Sequence, residues 1–265
     1  MAEPPSLEVS DSVGDAGGLR FATVYSPSLG GRGDFCLYQA GEAESLPIIV
    51  LLQGVYGGAW SWPLQGNAHR SLDKAVAEAV MPSCMLVTPS DGLYGLGSAY
   101  LPLSHGDYEA WIMHDLLHAV RQIVPEANGR LYLGGLSMGG FGALRLGTKY
   151  AAQVAGISAH SSVTSLIDLD QFLLGEPHDH VCDEKEADIL HWVQQAGHDL
   201  PPLRFDCGVD DPLIESNRLL HSRFDALGIA HVFEEFSGGH EWPYWSEHLA
   251  DTYAFFGAIE RSLNA

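Results

Sequence analysis

The sequence predicts an α/β fold with a mostly parallel central sheet and helices on both faces, and three observations carry that expectation. Short β-rich runs alternate with longer helical patterns from Leu19 onward, as repeated βαβ units require. The runs Ile48 to Leu52 and Leu131 to Leu133 are continuously apolar, which suits strands covered on both sides rather than half-exposed ones. With 265 residues, 46% hydrophobic and 18% charged, the chain is long enough for one large core and too apolar to be disordered.

Taken in order, residues 1–18 mix Pro, Ser, Gly, Asp and Glu without periodicity and are expected to form a flexible segment outside the core. Strands are expected at Leu19 to Tyr25 and Asp34 to Gln39, the two reading as a hairpin, and then at Pro47 to Gln53, Ser83 to Pro89 and Arg130 to Gly134. Three more follow at Val154 to His160, Pro202 to Gly208 and Ala230 to Phe236. Helical patterns lie at Ser71 to Val80, Tyr108 to Ile123, Met138 to Tyr150, Glu184 to Gln195, Leu213 to Leu227 and Trp242 to Leu263. The polar helical segment 165–202 interrupts the rhythm and is expected to be a small insertion capping the sheet edge, within a single domain spanning 19–265.

A formal charge of −21 repels nucleic acid and anionic membrane surfaces, so neither is expected as a partner. The excess fits solubility or adaptation to salt, and the chain has three lysines, Lys74, Lys149 and Lys185. No run of eighteen apolar residues occurs, and the first thirty residues do not read as a secretory signal or a transit peptide. Four cysteines scattered without CxxC spacing point to a reducing, cytoplasmic setting.

Chemistry concentrates at Gly135-Leu136-Ser137-Met138-Gly139, where a serine stands between an expected strand and an expected helix with glycine two positions to either side. This is the nucleophile-elbow pattern: a turn sharp enough to lift the serine oxygen above the sheet leaves no space for side chains at the flanking positions. A serine hydroxyl needs a base to take its proton and a carboxylate to orient that base. His240, in Gly238-Gly239-His240-Glu241-Trp242, is the candidate base, and Asp211, in the loop after the strand Pro202 to Gly208, is the candidate acid. Asp210 is an alternative acid that spacing leaves open, and Asp211 ahead of Pro212 also reads as a helix N-cap. Backbone amides of Met138 and of Val55, in the loop Gln53-Gly54-Val55-Tyr56-Gly57-Gly58, are the candidate oxyanion donors, although the latter loop also reads as an ordinary glycine turn. Tyr56, Trp60, Tyr100, His160 and Trp242 are candidate walls of a substrate pocket, with plain packing as the competing role for each.

Two further clusters carry ligand-type residues. His114-Asp115-Leu116-Leu117-His118 places two imidazoles four apart on a helix, but with Asp where a zinc hydrolase needs Glu, so a solvated helix face is the better reading. His178-Asp179-His180-Val181-Cys182-Asp183 lacks a second half at any familiar spacing and reads as an acidic loop. No cofactor and no metal is expected for the reaction.

The sequence resembles the esterase D family of α/β-hydrolases, which includes S-formylglutathione hydrolases, feruloyl and acetyl esterases, tributyrin-type esterases and mycolyltransferases. The likeness runs from about Leu19 to Leu263 and rests on Tyr25 to Gly30, Gln53-Gly54, Asp91-Gly92 with Gly97 to Tyr100, Tyr108-Glu109, Gly135 to Gly140 and Gly238 to Trp242. It implies an α/β-hydrolase fold, a Ser137, Asp211 and His240 triad, Val55 and Met138 as oxyanion amides, and hydrolysis of short-chain or small acyl esters. Many relatives carry His-Gly where this chain has Gln53-Gly54, and thioester-processing ones often carry Gly-His-Ser where it has Gly135-Leu136-Ser137, which looks more like simple carboxylesterases. An acyltransferase or an S-formylglutathione-type thioesterase on the same residues is the alternative, and a binding protein that has lost turnover is a third. A small-molecule ester is the expected partner, with a homo-oligomer compatible with the same reading.

Overall fold

The computed structural model describes residues 7–14, 17–91, 97–172 and 184–264. Nine of its strands form one sheet: β1 (Leu7–Val9), β2 (Arg20–Ser26), β3 (Gly31–Ala40), β4 (Ile48–Leu52), β5 (Cys84–Pro89), β8 (Leu131–Leu136), β9 (Val154–His160), β10 (Leu203–Gly208) and β11 (Val232–Phe236), while β6 (Pro102–Leu103) and β7 (Gly106–Asp107) make a small separate ribbon. The order across the large sheet is β1-β2-β3-β5-β4-β8-β9-β10-β11. From β5 to β11 all neighbours are parallel, and β1, β2 and β3 join antiparallel at one edge. The hairpin expected at the start is β2 and β3, paired from Arg20 opposite Leu37 to Ser26 opposite Gly31.

The apolar central strands divide between two cores with the two-residue period of an extended chain. Ile48, Val50 and Leu52 of β4 and Leu131 and Leu133 of β8 face one core, while Ile49, Leu51, Tyr132 and Leu136 face the other. The first core is covered by α4 (Leu117–Ile123), α5 (Met138–Lys149), α7 (Ile189–Ala196) and α8 (Ile214–Ala226), and the second by α2 (Ala68–Ala77) and α9 (Trp242–Leu263). Water is thereby removed from both faces, which is why β4, β5, β8 and β10 contain no exposed residue.

The structure departs from the expected elements at several places. Residues 1–18 were expected to lie outside the core, yet Leu7–Val9 pairs with β2 and extends the sheet by a strand. Helix α2 begins three residues earlier than expected, after Asn67 at φ 49°, and stops before Ala79, which takes φ 56°. The helix expected at Tyr108 to Ile123 opens as α3 (Tyr108–Ala110) and widens into a π-helical stretch over Trp111–Leu116 before α4. Two anchors coincide with that widening: the Trp111 indole donates to Ser90 O at 2.9 Å, and the Asp115 carboxylate accepts from Ser26 Oγ at 2.5 Å and Ser28 N at 3.0 Å. Asp115 is thus a brace for the β2–β3 turn, not part of a zinc pair, and the flanking His114 and His118 are exposed. The short helix α1 (Ser61–Leu64) has no counterpart in the expected pattern, and α6 (Leu166–Asp170) opens the segment 165–202 that was expected to be helical. The acidic loop at His178 to Asp183 lies outside the described residues.

A buried ion cluster fixes α5 against the π-helical arm. Arg145, fully buried, meets Glu109 at 2.5 Å, and Lys149 and Tyr150 reach the same carboxylate at 2.8 Å each. Burial would raise the Glu109 carboxyl, but these three partners together hold it below the ordinary range.

Candidate active site

Strand β8 ends at Leu136 and α5 begins at Met138, so Ser137 is the hinge between them, at φ 55° and ψ −119°. Such a backbone is costly for a residue with a side chain, and the surroundings hold it in place. The Ser137 N–H donates to His160 O at 3.0 Å, and Ser137 O accepts from Val163 N at 3.1 Å, so the end of β9 and the segment after it clamp the turn on both sides. Glycine is obligatory at the flanks: a Cβ on Gly135 would lie 2.2 Å from Gly139 O, and one on Gly139 would lie 2.2 Å from Leu52 O.

Asp211 follows β10 and His240 follows β11, both at the carboxyl ends of neighbouring parallel strands. The two loops touch backbone to backbone, since a Cβ on Gly208 would lie 2.2 Å from Gly238 O, and Asp210 N donates to Gly238 O at 3.0 Å. This contact brings the side chains together. His240 Nδ1 lies 2.9 Å from Asp211 Oδ2, and His240 Nε2 lies 3.0 Å from Ser137 Oγ. Of the two adjacent acids, Asp211 is the one within reach of the ring, while Asp210 is exposed.

The cap reading of Asp211 is altered in detail. Helix α8 starts at Ile214, and the other oxygen of Asp211, Oδ1, accepts from Leu213 N at 2.8 Å in a local turn. One carboxylate therefore stabilises the entry to a helix and orients an imidazole at the same time.

The His240 ring is held between aromatic surfaces. Phe172 stacks on it with centroids 5.0 Å apart and planes at 18°, and Trp245 meets it edge-on at 4.9 Å. In front of Ser137 lies a cavity of about 330 Å³, lined by Val55, Tyr56, Trp60, Gln65, Phe172, Trp242 and Trp245 together with the serine and the histidine. Tyr56 and Trp60 are exposed, and Tyr56 donates to Phe172 O at 3.1 Å, joining the loop after β4 to the segment after β9. Phe172 and Trp245 were not singled out from the sequence. Trp245 stands three residues after Trp242 on α9, a spacing that places both on one helical face, whereas nothing local marks Phe172.

Two expected wall residues lie elsewhere. Tyr100 is fully buried, and its hydroxyl donates to Gln53 O at 3.0 Å, so it supports the loop carrying Val55 from behind. His160 is also fully buried, with Nδ1 2.8 Å from Asp206 Oδ2 and Nε2 2.8 Å from Thr252 Oγ1. Its contribution to the site is its main-chain oxygen, which takes the Ser137 amide. The Asp206 carboxylate also meets Arg204 at 2.9 Å and Tyr244 Oη at 2.9 Å, and Tyr244 packs beneath Gly238 in the loop that carries His240. Burial would raise the Asp206 carboxyl, but His160, Arg204 and Tyr244 hold it below the usual carboxylate range.

Met138 is the first residue of α5, so its amide is one of the four at that end without an intrahelical acceptor, and Val55 lines the cavity. Gln53 Nε2 reaches Asp91 Oδ1 at 3.4 Å, and Asp91 Oδ2 accepts from Ser98 N at 3.0 Å. The loop after β4 is therefore tied to the loop after β5. A hydroxyl, an imidazole and a carboxylate aligned in this way at a cavity mouth form an arrangement able to activate the hydroxyl for attack on a carbonyl carbon.

Comparison with known proteins gives the family. The family model described as "Putative esterase" matches residues 26–256. An acetyl esterase from Caldicellulosiruptor saccharolyticus is 26% identical, over 82% of this chain and 86% of its own. Among solved structures, a ferulic acid esterase superposes with a TM-score of 0.78 at 21% identity, over 96% of this chain and 99% of its own. An S-formylglutathione hydrolase from Agrobacterium tumefaciens gives 0.77 at 17% identity, over 94% and 98%. With a sheet, a helix arrangement and a family match that agree, the chain belongs to the esterase family, has the α/β-hydrolase fold and is a carboxylic ester hydrolase.

Proposed function

We propose that the protein is a serine carboxylesterase acting on short-chain or small acyl esters through Ser137, His240 and Asp211. The observation that carries this reading is the continuous hydrogen-bonded line from Asp211 Oδ2 through both ring nitrogens of His240 to Ser137 Oγ, at 2.9 and 3.0 Å, opening on an aromatic cavity of about 330 Å³. That volume lies at the small end of ligand pockets and favours a compact acyl group over a long chain.

In the proposed cycle His240 Nε2 takes the Ser137 hydroxyl proton as Oγ bonds to the ester carbonyl carbon. The Val55 and Met138 amides donate to the oxyanion. Asp211 accepts from Nδ1–H and stabilises the imidazolium. The imidazolium then protonates the departing alkoxide, leaving an acyl-serine. Water, deprotonated by the same Nε2, adds to the acyl carbon; collapse releases the acid and returns the proton to Ser137. Free, buried Cys36, Cys84 and Cys207 agree with a reducing cytoplasmic setting, which belongs to the same proposal.

The test is a series of p-nitrophenyl esters of rising chain length, run beside a feruloyl ester, S-formylglutathione and a competing alcohol. Highest kcat/KM for the shortest esters, with Ser137→Ala inactive, is the expected result. Preference for the glutathione thioester assigns the thioesterase alternative, alcohol outcompeting water assigns the transferase, and an active Ser137→Ala variant overturns the mechanism.

A further inference from the structure

A second group of chemistry-bearing side chains lies at the other end of the parallel strands and is unused by the reaction. His221 and Asp225 occupy one face of α8 four residues apart, and His231 immediately precedes the edge strand β11. One ligand atom from each lies within 4.8 Å of the others. The closest pair is His221 Nδ1 and His231 Nε2, at 2.7 Å, and Asp225 Oδ2 is 3.4 Å from His221 Nε2.

The tautomer of His231 follows from its neighbours. Its Nδ1 is 2.8 Å from Ile229 O, an acceptor only, so Nδ1 carries the hydrogen and Nε2 presents a lone pair to His221. A backbone carbonyl fixing the far nitrogen is the usual partner of a metal-ligating imidazole. Both rings are oriented before any ion arrives. His231 stacks on Phe205 with planes at 13° and meets Phe224 edge-on, while His221 stacks on Phe233 at 29°. The chain's charge of −21 favours cations at its surface.

We propose that His221, Asp225 and His231 form a site for a divalent transition ion of the zinc class, with a solvent position open. Two imidazoles and one carboxylate suit Zn²⁺ or Co²⁺ and are a poor match for Mg²⁺ or Ca²⁺, which take oxygen ligands. With metal–nitrogen distances of about 2.0–2.1 Å, the two nitrogens must part slightly from hydrogen-bond separation as the ion takes the place of the shared hydrogen, which moves from His221 Nδ1 to His221 Nε2. Half-exposed His221 and exposed Asp225 are free to make that adjustment. Such an ion clamps α8 to β11 and does not enter the ester reaction.

The experiment titrates Co²⁺ and Zn²⁺ into metal-stripped full-length protein, reading the visible d–d absorption of Co²⁺, its displacement by Zn²⁺, and heat of binding. The expected result is one equivalent with low-symmetry nitrogen–oxygen coordination and a melting temperature that rises with ion concentration. His231→Ala should weaken binding by more than about 100-fold, beyond the 10- to 100-fold typical of losing an outer partner. Asp225→Asn, on the exposed helix face, tests the third ligand with little risk to folding, and His118→Ala controls for the exposed pair His114 and His118. Esterase turnover should stay unchanged in all three variants. Absence of saturable binding, or binding that survives His231→Ala or disappears in His118→Ala, overturns the proposal.

Discussion

The molecule contains two couples in which an aspartate at the end of β10 or just beyond it holds a histidine whose second nitrogen meets a hydroxyl. In one, Asp211 holds His240 against Ser137; in the other, Asp206 holds His160 against Thr252. The distances are nearly equal, so the difference in role comes from what surrounds them. The first couple ends on a strained turn at the mouth of a cavity, with its ring partly exposed. The second is sealed in the core, its carboxylate shared with Arg204 and Tyr244 and its hydroxyl shared with Ser158 at 2.6 Å. Hydrogen-bond geometry alone does not make a nucleophile; access for a carbonyl carbon and donors for the developing charge are also required.

The largest effect that separates the couples is on turnover. Ser137→Ala should lower kcat by about 10⁶-fold with an unchanged melting curve, whereas Thr252→Val should retain most activity and lose about 1–3 kcal/mol of stability. Paired kinetics and thermal melts check both. Next, Asp211→Asn should cost on the order of 10⁴ in kcat by favouring the wrong His240 tautomer, with the fold intact. Asp206→Ala should instead cost about 3 kcal/mol in denaturant unfolding, because buried groups of His160, Arg204 and Tyr244 each lose a partner, with Arg204 keeping its pair with Glu234.

Acid pH sharpens the same contrast. Asp206 and Glu109 both have depressed carboxyl values in the folded protein, so their contribution is fully present above the unfolded values of about 4 and is lost as pH falls through the lower folded values. Stability should therefore fall steeply below about pH 4, and Asp206→Asn should flatten that limb while lowering the plateau at neutral pH, as pH-dependent urea titrations would reveal. The smallest expected effect is that of Phe172→Ala, which removes a face-to-face contact with His240 worth about 1 kcal/mol and should reduce kcat/KM roughly fivefold.

The contrast also explains what was legible in the sequence. Ser137 and His240 stand in glycine-flanked turns after strands, and that local geometry is written in adjacent residues. His160 also ends a strand, and the sequence left it between pocket wall and plain packing. Its partners Asp206 and Thr252 are 46 and 92 residues away, and no local pattern reports that β10 and α9 enclose it. Tyr100 was left between the same two roles for the same reason, since whether an aromatic in a loop faces outward or supports the next loop depends on packing between segments. The strands and most helices were readable because burial on two faces imposes a period on the chain; the π-helical turn at Trp111 was not, because its anchors, Ser26, Ser28 and Ser90, belong to other segments.

The near-contact of Gly208 with Gly238 has a further consequence. Where main chains touch with no side chain between them, neither loop has slack, and the acid and the base must travel as one rigid piece. Adaptation to new substrates is consequently channelled to the other rim, where Tyr56 and Trp60 can be exchanged without disturbing that piece. A mutant library confined to those two positions should alter which esters are accepted while leaving the machinery that cleaves them untouched.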